Sequence, residues 1–323
     1  MDKTHFFNLI NAGNIKSGLL SENFVRSHED FLNFPVNLKG LPILIAADPA
    51  VFEFSSDDVF QLSEIEILTK VYNLVNRDYV GYQHAFNSNK FLGRFAVKKS
   101  FKKIVEKIIS QNRTVFDEVV RIKEKYKTVG AFQTRNIPHF GHEKIIEHML
   151  EFCDHVVINP VIGPKKSGDV KLEVLELIYE YLISHKYEHR LSFLPIFANM
   201  FYAGPNEALH HAILRQRLGF DIFSVGRDHA GAQGVYSPTS AVARLAESEK
   251  NLIIKILGHK GAVFCDTCNS AVLVGECDHD VKQYKDIAGT QFRVSIKNKE
   301  FFSFADKDMQ SYLKSQNLEV FEE

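Results

Sequence analysis

From Thr128 onward the chain alternates short runs rich in β-branched and aromatic residues with longer segments of helical periodicity. No other feature restricts the fold as much, because adjacent parallel strands need long crossover connections and a helix is the usual one. Strands are predicted over residues 128–132, 155–161, 191–195, 222–226 and 252–257, and helices over 142–152, 171–186, 207–218 and 240–249. That order reads as a doubly wound, Rossmann-like α/β domain, in which ligands bind at the carboxyl ends of the strands.

Ahead of residue 127 the pattern is irregular. It holds short apolar runs at 41–47 and 50–54, aromatic clusters, and a basic stretch Lys98-Lys99-Ser100-Phe101-Lys102-Lys103 leading a helical segment that ends near Lys125. The stretch is read as a solvated helix face. With 39 basic and 40 acidic side chains the formal charge is −1, so no global field exists to hold a nucleic-acid backbone or an anionic membrane. Phosphate recognition must therefore be local, and nucleic acid is not an expected partner. The run at 41–47 stops at Asp48, far short of the roughly 20 residues of a spanning helix, so no membrane span is expected. Met1-Asp2-Lys3-Thr4-His5 lacks a secretory pattern, which makes the cytoplasm the expected compartment.

The first strand runs into a polar loop and a helix through Gln133-Thr134-Arg135-Asn136-Ile137-Pro138-His139-Phe140-Gly141-His142-Glu143. At a helix start, His139 and His142 join orphan backbone N–H groups and the positive end of the helix dipole, a setting for an anionic phosphate chain. A metal pair is the competing reading, although zinc-binding pairs on a helix are usually four apart with a Glu between. Gly226 and Gly231 bracket a turn after a later strand and let backbone N–H groups approach an oxyanion, with Arg227 and His229 supplying charge and donors. Gly289-Thr290 ahead of Arg293 gives a possible helix start carrying a guanidinium. The stretch from Lys165 to Asp169 is equally well a solvated turn, with Gly168 as the break and Asp169 capping the next helix.

Three of the four cysteines crowd together: Cys265 and Cys268, then Cys277 followed by His279. CxxC followed by CxH supplies four donors of the kinds tetrahedral zinc prefers, and a closed sphere makes the metal structural. The alternative is a reduced, metal-free loop. Cys153, beside a mostly apolar run, is expected to be plain core.

The 129–143 segment resembles the HxGH signature of the nucleotidylyltransferase superfamily and, more closely, the QTRNPxHRxHE motif of ATP sulfurylases. Residues 161–169 resemble that family's PVVGxTKPGD, residues 202–208 its YAGPREA, residues 225–231 are identical to its VGRDHAG, and residues 287–293 resemble its ISGTxLR. All five stand in family order. The resemblance implies formation of adenosine 5'-phosphosulfate and pyrophosphate from ATP and sulfate, with magnesium arriving on the nucleotide. It implies sulfate binding by Gln133, Arg135 and Ala230, and ATP binding by Gln133, Thr134, Arg135, Asn136, Gly226, Arg227, Asp228, His229 and Arg293. It further implies catalytic roles for Thr134, Arg135, Asn136, His139 and His142, and structural zinc on Cys265, Cys268, Cys277 and His279. A PUA-like α+β domain is implied for residues 1–126, a nucleotidylyltransferase domain for 127–262, a zinc knuckle with a helical end for 263–323, and assembly into homo-oligomers.

The sequence departs from the pattern at Ile137, where the family has Pro, and at Phe140, Phe201 and Asn206, where it has arginine. Each guanidinium beside an anion contributes charge-assisted hydrogen bonds of about 1.5 to 3 kcal/mol. Two other readings follow from their absence: transfer to a different oxyanion or phosphorylated acceptor, and a catalytically degenerate nucleotide-binding or RNA-binding module.

Overall fold

The computed structural model describes the chain apart from residues 20–48, 54–58, 62, 87–90, 94–95, 166, 228, 232, 250–251 and 323. The predicted alternation is present element by element: β1 (Val129–Phe132), α1 (Phe140–Met149), β2 (His155–Ile158), α2 (Leu172–His185), β3 (Leu191–Phe193), α3 (Pro205–Arg217), β4 (Ile222–Val225), α4 (Ser240–Glu247) and β5 (Lys255–Gly258). The five strands form one parallel sheet in the order β5-β4-β1-β2-β3. The order reverses between β1 and β4, and the crevice at that switch point opens at the strands' carboxyl ends.

Two strand boundaries differ from the prediction for identifiable reasons. The run 155–161 splits, because Pro160 brings no N–H to a ladder; Val161–Ile162 instead pairs with Ile196–Phe197 in a small parallel sheet of its own. The last strand begins only at Lys255, since the backbone N–H groups of Ile253 and Ile254 donate to Gln216 Oε1 on α3, at 2.6 and 3.1 Å.

The sheet is buried on both faces, which is why its strands read as near-continuous apolar runs. Val129, Ala131, Val157, Phe223 and Val225 join one core, while Phe132, Val156, Ile158, Leu191 and Ile222 join the other. Alternate residues take opposite sides, as the pleat demands. At Gly130 a Cβ would stand 2.9 Å from both Cys153 Sγ and Met149 Cε, so the missing side chain lets α1 lie close against β1. Cys153 is buried there, as expected of a core residue, its thiol donating to the Met149 carbonyl at 3.2 Å.

Helix Lys3–Lys16 packs along helix Lys102–Lys125, and Asn112 Nδ2 donates to Asn14 Oδ1 at 2.8 Å between them. Both helices bury their apolar sides in the core they share with β1 and β4. The basic stretch is solvated, with Lys99, Lys102 and Lys103 exposed. Two short antiparallel pairs, Phe52–Glu53 with Ala96–Val97 and Val59–Gln61 with Phe91–Gly93, and two short helices, Glu64–Lys70 and Val80–Phe86, also belong to this region. The apolar run at 41–47 lies outside the described residues.

Beyond β5, strands Ala262–Cys265, Ser270–Leu273 and Tyr284–Asp286 form an antiparallel sheet with the first of them in the middle. Helices Gly289–Lys297 and Lys307–Ser315 follow, and the latter packs on α2. Among the described residues, no helix is long and apolar enough to cross a membrane.

Candidate active site

The crevice at the switch point is a cleft of about 520 Å³. Gln133, Thr134, Arg135 and Asn136 enter it from the loop after β1, and His139 and His142 from the start of α1. Gly226, Arg227, His229 and Ala230 enter from the loop after β4, and Arg293 from helix Gly289–Lys297. The fold thus gathers the sequence-predicted anion-handling residues in one place, save Asp228, which lies outside the described residues.

Local geometry fixes the loop after β1. Thr134 Oγ1 accepts the backbone N–H of Asn136 at 3.1 Å, and Asn136 Oδ1 accepts from Arg293 Nη2. His139 is the N-cap of α1, where its Nδ1 accepts the Gly141 N–H at 3.1 Å and so leaves the ring proton on Nε2. The His139 and His142 rings lie 3.9 Å apart. Burial pulls His139 down to about 4, and burial together with its neighbours His139, His259 and Arg293 holds His142 well below the usual range. These rings are neutral hydrogen-bonding groups at neutral pH.

The expectation that His229 supplies charge is corrected. Burial, then Arg215 and His259, bring it down to about 3, and its Nε2 lies 3.2 Å from Nδ1 of His211. His259 is likewise pulled to about 4 by burial, its Nε2 3.2 Å from Ser224 Oγ. A Cβ at Gly226 would come within 2.5 Å of the His259 ring, so only glycine admits that ring beside the loop.

Positive charge comes from arginine. Arg227 pairs with Asp286 at 2.9 Å at the rim. Arg135 and Arg293 flank Asp169, whose carboxylate is buried and lies 3.5 Å from Arg135 Nη1 and 3.5 Å from Arg293 Nη2, with Tyr202 donating its hydroxyl at 3.2 Å. The Arg135 guanidinium also lies over the Tyr202 ring at 5.4 Å. Asp169 is therefore no helix cap: Lys171 holds that position on α2 without a side-chain bond, although Gly168 is the expected break, at φ +82°. Gly289 begins a helix as expected, and a Cβ there would stand 3.1 Å from Asn136 Cγ.

Sequence reasoning missed the counter-ion role of Asp169 and the positions of Tyr202, His259 and His211, since none has a local spacing signal that links it to the loops it meets. The three positions that lack the pattern's arginines are not among those lining the cleft. Phe140 opens α1 and its N–H donates to the Phe304 carbonyl at 2.8 Å. Phe201 is buried edge-on to Phe7, at 5.1 Å between ring centres. Asn206 Nδ2 donates to the Val71 carbonyl at 2.9 Å, and its Oδ1 accepts from Arg244 Nε at 3.2 Å.

A second site lies on the antiparallel sheet. One donor atom from each of Cys265, Cys268, Cys277 and His279 lies within 4.8 Å of the others, with His279 Nδ1 3.4 Å from Cys265 Sγ and 3.3 Å from Cys268 Sγ. Three sulfurs and one imidazole nitrogen so grouped fit a closed tetrahedral zinc site.

The ATP-sulfurylase family model matches residues 109–303. Sulfate adenylyltransferase of Pyrococcus abyssi is 36% identical over 242 residues, covering 74% of this chain and 63% of that protein. The enzyme of the same name from Ignicoccus hospitalis is 32% identical over 283 residues, 86% of this chain and 70% of its own. This chain thus spans about two thirds of the length of these curated relatives. Among solved structures, the hexameric APS kinase from Thiobacillus denitrificans superposes with a TM-score of 0.56 at 12% identity, over 98% of this chain and 62% of that one, a likeness of fold alone. By the family model and these relatives, the chain belongs to the ATP-sulfurylase family.

Proposed function

We propose that this chain is a sulfate adenylyltransferase, joining ATP and sulfate into adenosine 5'-phosphosulfate with release of pyrophosphate, or running the reverse. The observation that carries the reading is the pair of guanidiniums, Arg135 and Arg293, sharing one buried carboxylate at the mouth of the switch point. One positive charge in excess then faces a cleft whose histidines are neutral.

A sulfate oxygen attacks the α-phosphorus in line, and the bond from that phosphorus to the bridging oxygen breaks, its electron pair leaving on pyrophosphate. Sulfate is a weak nucleophile of the same charge sign as the triphosphate, so the protein's contribution is positioning and charge stabilisation. Gln133, Arg135 and the backbone at Ala230 would hold sulfate, while residues 133–136 and 226–229 with Arg293 would hold ATP. His139, with its proton on Nε2, and His142 would donate to oxygens that gain charge in the transition state. Magnesium would enter with the nucleotide and needs no dedicated cage.

Zinc on Cys265, Cys268, Cys277 and His279 would be structural. We divide the chain into a PUA-like α+β region at 1–126, a nucleotidylyltransferase domain at 127–262 and a zinc knuckle with a helical end at 263–323. The hexameric Thiobacillus denitrificans protein that shares this fold supports homo-oligomers here, and the cytoplasm is the compartment in which reduced zinc-ligating thiols persist. A second reading, transfer to another oxyanion, draws on Phe201, whose place in the core removes one anion ligand of the family pattern.

The test is ATP formation from adenosine 5'-phosphosulfate and pyrophosphate with magnesium. Robust formation is expected, with Arg135→Ala and His142→Ala each losing 100-fold or more, on the order of one lost transition-state donor, while remaining folded by circular dichroism. Undiminished turnover in both variants would refute the assignment. Turnover only with another oxyanion would establish the second reading.

A further inference from the structure

Beneath the cleft, three side chains on α3 and the loop after β4 form a line of which the reaction above uses only the last, His229. Glu207 and His211 are completely buried one helical turn apart, with His211 Nε2 3.5 Å from Glu207 Oε1. His211 Nδ1 lies 3.2 Å from His229 Nε2, and His229 lines the cleft. The far end of the line is pinned: Glu207 Oε1 accepts the Phe201 N–H at 2.7 Å and Oε2 the Ala203 N–H at 2.9 Å. Arg215 is buried alongside, its guanidinium donating to the His211 and Asn159 carbonyls.

From this line, and resting on the adenylyltransferase reading above, we infer that His211 is a positioning residue that fixes the proton of His229 on Nε2, so that His229 offers an unprotonated Nδ1 to a hydroxyl or amino donor of the bound nucleoside. A neutral imidazole carries one proton. On His211 that proton belongs on Nε2, facing the ionised Glu207, because a lone pair there would oppose a carboxylate oxygen. His211 Nδ1 is then an acceptor, and only an Nε2–H on His229 can satisfy it. Among the described residues the hydrogen bond of His229 runs through Nε2, which leaves Nδ1 with a lone pair to offer. Phosphate and sulfate oxygens are acceptors at neutral pH, so this lone pair cannot serve them. The donors on an adenine nucleotide are the ribose hydroxyls and the exocyclic amine. Burial, reinforced by the charge of the Arg215 guanidinium, keeps both rings neutral. Burial raises Glu207 to about 7, so the wiring is complete above that pH.

The test is long-range ¹⁵N–¹H correlation on the full chain at pH 8, with His229 assigned from His229→Gln, beside calorimetric dissociation constants for magnesium ATP and magnesium pyrophosphate. The expected spectrum places the His229 proton on Nε2. His211→Leu should mix the tautomers and weaken ATP about tenfold, the worth of one hydrogen bond, while pyrophosphate binding stays within about twofold. His211→Asn, whose amide oxygen can occupy the Nδ1 position, should restore both readouts. Of two ATP analogues, one lacking the 2'-hydroxyl and one lacking the amine, the one that wild type binds more weakly and His211→Leu no longer discriminates identifies the donor. A His229 proton on Nδ1 in wild type, or equal weakening of ATP and pyrophosphate in His211→Leu, would overturn the inference. The tautomer is read without turnover, so a chain inactive with sulfate but wired as described would sink the function and not this assignment.

Discussion

At the scale of single residues, the cleft divides its labour between cations that stay charged and histidines that do not. A guanidinium keeps its proton under almost any surroundings, whereas an imidazole loses its charge as soon as burial costs more than about one pKa unit. His139 and His259 both sit near 4 because they are buried, against an ordinary value of 6.5. On unfolding, each regains the ordinary value and takes up a proton between pH 6.5 and 4. Their contribution to stability is therefore complete above pH 6.5 and disappears as the pH falls through 4. Melting temperature should hold steady from pH 8 to 7 and then fall steeply towards pH 4, and His139→Gln should flatten part of that fall. An unchanged slope in the variant would mean that His139 is charged in the fold, which would also remove the basis for treating it as a neutral donor.

At the scale of elements, the loop that carries Phe201 is held by the helix Lys3–Lys16, whose Phe7 meets Phe201 edge-on. The family's arginine cannot simply be put back there. Phe201→Arg would leave a guanidinium inside an apolar core at a cost of about 3 kcal/mol or more, and thermal melts should show a loss of well over 5 °C, whereas Phe140→Arg at the half-buried start of α1 should shift the melt by no more than a degree or two. Equal, small effects would mean that Phe201 can turn out of the core. The same comparison explains what the sequence could and could not disclose. The nine sheet and helix elements, and the residues that sit at strand ends, follow from periodicity and from motifs in order, because those are local properties. The partnership of Asp169 with Arg135 and Arg293 joins the loop before α2 to two segments 34 and 124 residues away along the chain, and the role of Phe201 depends on a helix near the other end of the chain. Neither relation leaves a spacing that a single sequence can display.

At the scale of the molecule, the cysteine site and the cleft are two ends of one small sheet. Cys265 ends the central strand Ala262–Cys265, which pairs with Tyr284–Asp286 in the register Cys265 to Tyr284 and Val263 to Asp286. Asp286 holds Arg227, and the helix that carries Arg293 begins three residues later. A metal on Cys265, Cys268, Cys277 and His279 would thus tie down the strand that orients one wall of the cleft. Protein purified without chelator should hold about one equivalent of zinc by elemental analysis. Stripping it, or Cys268→Ser, should lower the melting temperature by several degrees and raise the KM for ATP severalfold together. Asp286→Asn should raise the KM alone, leaving zinc content and melting temperature unchanged, because it cuts the link to Arg227 without opening the knuckle. If zinc removal lowers stability but leaves the KM where it was, the sheet does not transmit the knuckle's order to the cleft, and the two sites are neighbours without being coupled.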